Sequence, residues 1–180
     1  MVAGAPGAGK STIAALLAER LSPPGAVLDK DALFSGFVAE VIAAHGRPHS
    51  EREGPWYDEH VKVHEYGGMT AAAAQIRGSG VPVVLVAPFT QALREPGWFD
   101  AWVPRLGGQP VHLVWVRLDP ALLNARLVAR GRARDAGKLA DFDAFEARMR
   151  SDSPPIVAHR CVDADVALDH LPAAVDALLA

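Results

Sequence analysis

The run Gly4-Ala5-Pro6-Gly7-Ala8-Gly9-Lys10-Ser11 constrains this chain more than any other feature. It matches G-x-x-x-x-G-K-[ST] at every fixed position, and that spacing serves one physical end. Glycines let the backbone curl until successive N–H groups face a single concavity, where anionic oxygens sit. A helix opening at Ser11 turns its positive dipole end toward the same anion, with Thr12 in its first turn. Lys10 then reaches the β- and γ-phosphates of a nucleotide, and the Ser11 hydroxyl ligates Mg²⁺. The alternative is a chance Gly/Ala-rich loop in an Ala-rich sequence. It fits poorly with the loop's place between a strand end and an apolar helix. ATP and Mg²⁺ are therefore the expected ligands.

The rest of the composition narrows the setting. At 180 residues, half of them hydrophobic, the chain suits one domain with a real core. A net charge of -3 argues against tight binding to long nucleic acids, which needs a basic surface. The charge is uneven, however: Arg117, Arg126, Arg130, Arg132, Arg134 and Lys138 crowd into one stretch. Such a cluster suits a small polyanion such as a nucleotide. Cys161 is the only cysteine, which excludes an intrachain disulfide and a Cys-based zinc site. It is expected as a buried small hydrophobe. No stretch approaches the roughly 20 apolar residues of a membrane span. No basic-then-apolar leader stands ahead of the glycine-rich loop, so a cytoplasmic setting is expected. Only Met1, Val2 and Ala3 precede that loop, which implies a first strand that is very short or clipped by the chosen start codon.

Elements follow from periodicity. Val2–Ala3 reads as the end of a buried strand and Ser11 to Leu21 as a helix, stopped at Ser22-Pro23-Pro24-Gly25. Ala26–Leu28 starts a second strand. The next helix, which Asp31 could cap, runs to about Ala44. A long helix spans Trp56 to Arg77, weakened at Gly67-Gly68. Val81–Phe89 and Val111–Leu118 are near-continuous apolar runs, the pattern of strands buried on both faces. Between them, Gln91 to Pro110 reads as short helices and loops. Pro120 to Arg130 is a helix with proline in its first turn, Gly131 to Ala140 a charged loop, and Phe142 to Arg150 a helix. Cys161–Val166 is expected as a last strand, followed by a helix from Leu171. Strands alternating with helices imply parallel βαβ units in a three-layer αβα sandwich, one domain over residues 1–180.

Two features bear on chemistry. Asp29-Lys30-Asp31 falls at the end of the second strand, about 20 residues beyond the glycine-rich loop. In a parallel sheet that end shares a crevice with the loop, so a carboxylate there can take the proton of an attacking hydroxyl. For Asp31 this stands beside a capping role; Asp29 is either an indirect Mg²⁺ partner or a strand-end residue with local hydrogen bonds. Neither of the two strong apolar strands, Val81–Ala87 and Val111–Leu118, ends in the acidic residue usual in motor and switch NTPases. Leu123 through Asp135 carries Arg126 and Arg130 four apart on one helix face, then a glycine and more arginines. This reads as a lid at about 126–140, closing guanidinium groups over phosphates; a solvated basic helix end is the plainer alternative.

With these residues in view, the sequence resembles the small P-loop kinases. That family includes chloramphenicol phosphotransferase, gluconate kinase, adenylylsulfate kinase, zeta toxins, the kinase domain of phage polynucleotide kinase and bacterial AAA-type ATP-binding proteins. The resemblance rests on Gly4–Ser11, Asp29–Asp31, the run Val81–Phe89 and Leu123 through Lys138. It implies a P-loop NTPase fold of the nucleoside and shikimate kinase kind. It also implies Asp31 in the place of the hydroxyl base, and Arg126 or Arg130 as lid arginine. The activity implied is transfer of the γ-phosphate of ATP to a hydroxyl of a small-molecule acceptor. A polynucleotide or nucleoside kinase and a nucleotide-gated regulatory ATPase are the alternatives. One departure matters. Phe34 stands where polynucleotide kinase and adenylylsulfate kinase carry a substrate-gripping arginine, which suggests a less anionic acceptor. Phe34, Phe37, Trp56, Tyr57, His60 and His64 are candidate pocket residues, each equally readable as core or interface. His60 and His64 have zinc-compatible spacing but no accompanying H-E-x-x-H. Trp98, Phe99 and Trp102 read as packing under a loop, and Thr90 as a contact to phosphate or substrate by position alone.

Overall fold

In the computed structural model, which describes residues 1–166 and 168–179, the apolar runs form one parallel sheet. Strands β1 (Val2–Ala3), β2 (Ala26–Asp29), β3 (Val83–Val86), β4 (Val114–Arg117) and β5 (Arg160–Asp163) lie in the order β2-β3-β1-β4-β5. Val2 is in register with Val86 on one side and Val114 on the other, so the strand before the glycine-rich loop is central. The strands are shorter than the apolar runs that contain them. Pro82 and Pro88 flank β3 and cannot donate to a ladder.

The helices are α1 (Lys10–Arg20), α2 (Lys30–Ala44), α3 (Pro55–Tyr57), α4 (Val63–Gly78), α5 (Thr90–Arg94), α6 (Trp98–Trp102), α7 (Pro120–Arg130), α8 (Ala136–Ala140), α9 (Phe142–Met149) and α10 (Leu171–Leu179). Alternation along the strands sorts the core into two layers. Val84, Val86 and Val116 pack with Ile13, Leu123, Leu127 and Val175, under α1, α7 and α10. Leu85 and Trp115 face the other way, onto Met69, Ala73, Leu93 and Trp102. Helices therefore cover both faces, giving the three-layer sandwich that the sequence implies. Trp102 is buried and Trp98 and Phe99 are half-buried, in line with the packing reading. A third, small cluster of Val38, Ile42, Tyr57 and Val61 ties α2 to the helical segment after residue 54.

Several expectations change in detail. The helical backbone over 55–78 is continuous, but its irregularity is a π-turn at Asp58–Lys62, not a break at Gly67-Gly68. Gly68 sits within regular helix because a Cβ there would lie 3.2 Å from the Phe34 ring; glycine lets α2 and α4 close up. Asp31 does not cap α2. The cap is Asp29, whose carboxylate accepts from the backbone N–H of Asp31 at 2.9 Å and of Ala32 at 3.4 Å. Residues 131–140 are a 3₁₀ turn (Ala133–Asp135) and α8, not an open loop. Buried Asp135 closes that turn by accepting from Arg130 and Lys138. The last strand ends at Asp163, where its carboxylate accepts from the Asp165 N–H at 3.0 Å and turns the chain. Cys161 is exposed. It lies on the edge strand, and Val162 takes the inward position beside it. No helix among the described residues is long and apolar enough to cross a membrane.

Candidate active site

The loop between β1 and α1 is shaped by close approach. Gly4 has φ 145°, and a Cβ there would sit 2.6 Å from the Val116 carbonyl oxygen. No other residue fits against β4 at that point. Gly9 ends the loop at φ 94° and supplies no side-chain cap to α1. By contrast α2, α7 and α9 are each capped by an aspartate: Asp29, Asp119 and Asp141. The first turn of α1 thus presents unpaired N–H groups and a positive dipole end to whatever lies beyond it. What lies beyond is a cavity of about 660 Å³ lined there by Pro6, Gly7, Gly9, Lys10, Ser11 and Thr12. Gly4, Ala5 and Ala8 form the underside of the loop; Ala5 and Ala8 are buried in the core. Lys10 Nζ donates to the Ala5 carbonyl at 2.9 Å. Burial pushes its ammonium down to about 8, with Arg130 and Lys30 adding to the shift and Asp31 and Asp29 opposing it.

The second wall comes from the start of α2. Ser11 Oγ donates to Asp29 Oδ2 at 2.6 Å, so the hydroxyl and carboxylate that the sequence singled out for a cation are in contact. Asp31 is free of capping and turns to the cavity, pairing with Lys30 at 3.4 Å and with Arg134 at 2.9 Å. Burial opposes its ionisation, but Lys30, Arg134 and Lys10 outweigh it and hold the carboxyl below the usual range. Behind Asp31 is a buried network. Glu65, 3% exposed, accepts from Lys30 Nζ at 2.7 Å and from the Tyr57 hydroxyl at 2.6 Å. Burial and the Glu65 charge push the Tyr57 phenol well above its ordinary value, so it is a neutral donor. Phe89, at φ 51°, is one of few non-glycine residues here with positive φ. Its N–H donates to the Tyr66 hydroxyl at 3.2 Å, and the turn delivers Thr90 to the cavity wall.

The third wall is the segment after α7's midpoint. Arg126, Arg130, Arg132, Arg134 and Lys138 all line the cavity. Arg126 donates to the Ala164 carbonyl at 2.7 Å and lies above Gly9, 4.0 Å from where a Cβ would be. Arg130 bonds Asp135 Oδ2 through Nε (2.9 Å) and Nη2 (2.5 Å), while Lys138 reaches Oδ1 at 3.0 Å. Burial works against ionising Asp135, and these two cations overcome it, keeping its carboxyl low. Arg134 alone spans the cavity to the opposite wall.

The structure thus brings Lys10, Ser11, Thr12, Asp31, Arg126 and Arg130 to one cavity. It places Phe34, Phe37, Trp56, His60 and His64 elsewhere. Phe34 packs between the cores, Phe37 is 69% exposed, and Trp56 lies between His45 and His60 under the Arg47 guanidinium. Of that group only Tyr57 lines the cavity. Sequence reasoning missed Arg52, Glu65, Tyr66 and the organising role of Asp135. Asp135 had a signal, being the one acid amid the arginines of 126–134. Glu65 had none, since an acid on a helix ordinarily faces water.

A glycine-cradled, uncapped helix start beside the central strand of a parallel sheet, facing an acidic strand end and an arginine segment, defines a P-loop NTPase of kinase-like architecture. The chain belongs to the AAA domain family, whose model matches residues 1–155. No curated protein matches it. Among solved structures it is similar to a protein from Chloroflexus aurantiacus described as a kinase (22% identity, 99% of this chain and 93% of that one, TM-score 0.64). It is also similar to a sugar kinase from a Janibacter species (20%, 99% and 90%, TM-score 0.61). A third is the APS kinase of Mycobacterium tuberculosis in complex with AMPPNP and APS (18%, 99% and 94%, TM-score 0.57). At these identities the likeness is one of fold.

Proposed function

We propose that this protein is an ATP-dependent phosphotransferase acting on a hydroxyl of a small-molecule acceptor. The observation that carries the reading is the placement of Asp31. Its carboxylate is relieved of capping by Asp29 and faces the same cavity as Lys10 and the uncapped start of α1. The α1 N–H groups and Lys10 would hold the β- and γ-phosphates. Asp31 would orient the acceptor hydroxyl and receive its proton as the oxygen bonds to the γ-phosphorus and the bridging oxygen leaves with ADP. Arg126 lies over the loop, and Arg130 is fixed by Asp135; both would offset charge on the phosphates in flight. Magnesium fits the donor set: the Ser11 hydroxyl and Asp29 carboxylate are both oxygen donors in mutual contact. Few protein oxygens completed by phosphate and water are what that ion prefers. Ser11 would hold it directly and Asp29 through water; when bound, it neutralises β- and γ-phosphate charge.

The kinase description of proteins sharing this fold supports the reading. The test is transfer of labelled γ-phosphate to sugars, amino-alcohol antibiotics, nucleosides and 5′-hydroxyl oligonucleotides, with a no-acceptor control. A labelled product from one class is the expected result. Phosphate release independent of acceptor would replace the proposal with a regulatory ATPase.

A further inference from the structure

Resting on that reading, we propose that the acceptor is anionic: a hydroxylated small molecule whose carboxylate or phosphate group is held by Arg52 and Arg134. Charge pairing in the acceptor half leads there. Lys30 is matched by Glu65 and Asp31, Arg134 by Asp31, and Lys62 by Asp58 at 3.0 Å. Arg52 differs. It lines the cavity, but no ion pair among the described residues includes it, and its neighbour Glu53 pairs with Arg148 instead. Its Nη2 makes one contact, to the Ser35 carbonyl at 3.3 Å, and its Nε is buried with no partner. A guanidinium beside the cavity with no carboxylate partner has N–H groups left to donate to an anionic ligand.

The second arginine gives the site its geometry. Ser35 lies four residues after Asp31, hence one turn along the same face of α2. Arg134 Nη1 sits 3.4 Å from Ser35 Oγ, so two guanidiniums from separate segments converge on that serine. Asp31 offsets the charge of Arg134, but among the described residues no carboxylate pairs with Arg52. An oxyanion there would bridge them, taking fork-like hydrogen bonds from each. Its distance from Asp31, one helical turn, matches a small molecule presenting an acid at one end and a hydroxyl at the other. Phe34 had pointed to a less anionic acceptor. The structure supplies the cation from residue 52 instead, while Phe34 packs in the core.

The test loads the P-loop with AMPPNP and Mg²⁺, then titrates matched sets by calorimetry: glycerol, glycerate and glycerol 3-phosphate; glucose, gluconate and glucose 6-phosphate. The acidic members are expected to bind at least tenfold tighter than the neutral one, and the two acids separate carboxylate from phosphate as the group recognised. Arg52→Gln should erase the preference while AMPPNP affinity is kept, and Arg52→Lys should restore part of it. Equal binding of neutral and acidic members, no binding by any, or a preference that survives Arg52→Gln overturns the proposal. Transfer to a neutral acceptor by the wild type would sink the anion site yet leave the phosphotransferase standing. Acid-selective binding without any transfer would do the reverse.

Discussion

The two halves of the cavity are built from different material. On the phosphate side the working groups are backbone: a loop forced into shape by Gly4 against Val116, and a helix start that Gly9 leaves uncapped. On the proposed acceptor side they are side chains held by one another, in the chain Arg134–Asp31–Lys30–Glu65–Tyr57. A backbone cradle tolerates little variation, because each glycine is demanded by a steric contact or a left-handed φ. A side-chain network can be rewired one residue at a time, provided its charges stay paired. The nucleotide end should therefore be fixed and the acceptor end adjustable.

Asp31→Asn should divide the halves most sharply. It leaves the loop, Lys10 and the α1 dipole in place, so AMPPNP binding should hold within about twofold. Transfer should fall by about 10² to 10⁴. Comparing kcat with nucleotide Kd for the variant decides it, and retained transfer would deprive Asp31 of its role.

Next in size is the support beneath it. Glu65→Ala removes the buried carboxylate shared by Lys30 and Tyr57, leaving an ammonium with one exposed partner and a phenol with none. Breaking one side of such a pair costs about 3 kcal/mol, read as a lowered urea midpoint at unchanged slope. Glu65→Gln, which keeps an acceptor oxygen, should lose less. A loss near zero would mean the network is not what holds the acceptor wall.

The same division decides what the sequence could reveal. The phosphate half was legible because its physics is local: glycine spacing, Lys10, Ser11 and the helix start lie within one short run. The layer order was legible too, since buried parallel strands announce themselves as apolar runs. Asp31 was visible as a carboxylate at a strand end, but its freedom depends on Asp29 taking the cap, a matter of side-chain geometry. Arg130 and Arg134 looked alike in sequence. Only the fold shows that Asp135 ties the first, while the second crosses to Asp31. Glu65 was invisible because Lys30 reaches it only where α2 packs against α4, and Arg52 because the segment before α3 folds back onto Ser35 of α2.

Arg134 probes the contact between the halves. Its charge helps keep the Asp31 carboxyl low, so the ionised form persists into acid. Arg134→Ala withdraws that help, proton binding to Asp31 moves upward, and the acid limb of the kcat profile should shift to higher pH. An unmoved limb would mean that Lys30 and Lys10 carry the effect without it.

The smallest effect lies on the phosphate side, in Lys10. In the free protein burial has brought its ammonium down to about 8, so near that pH the site is only partly charged. Phosphate oxygens placed against Nζ favour the protonated form and raise the value again, so nucleotide binding must take up a proton. At pH 8 the uptake should be about half a proton and should shrink toward neutral pH, where Lys10 is already charged. Affinity should correspondingly weaken as pH rises above 8. Calorimetry of Mg·AMPPNP binding in buffers of different ionisation enthalpy measures the uptake directly. Lys10→Arg, charged throughout this range, should show none of it. Equal uptake in wild type and variant would place the proton on another group, and the depressed lysine would no longer explain the pH dependence of the cradle.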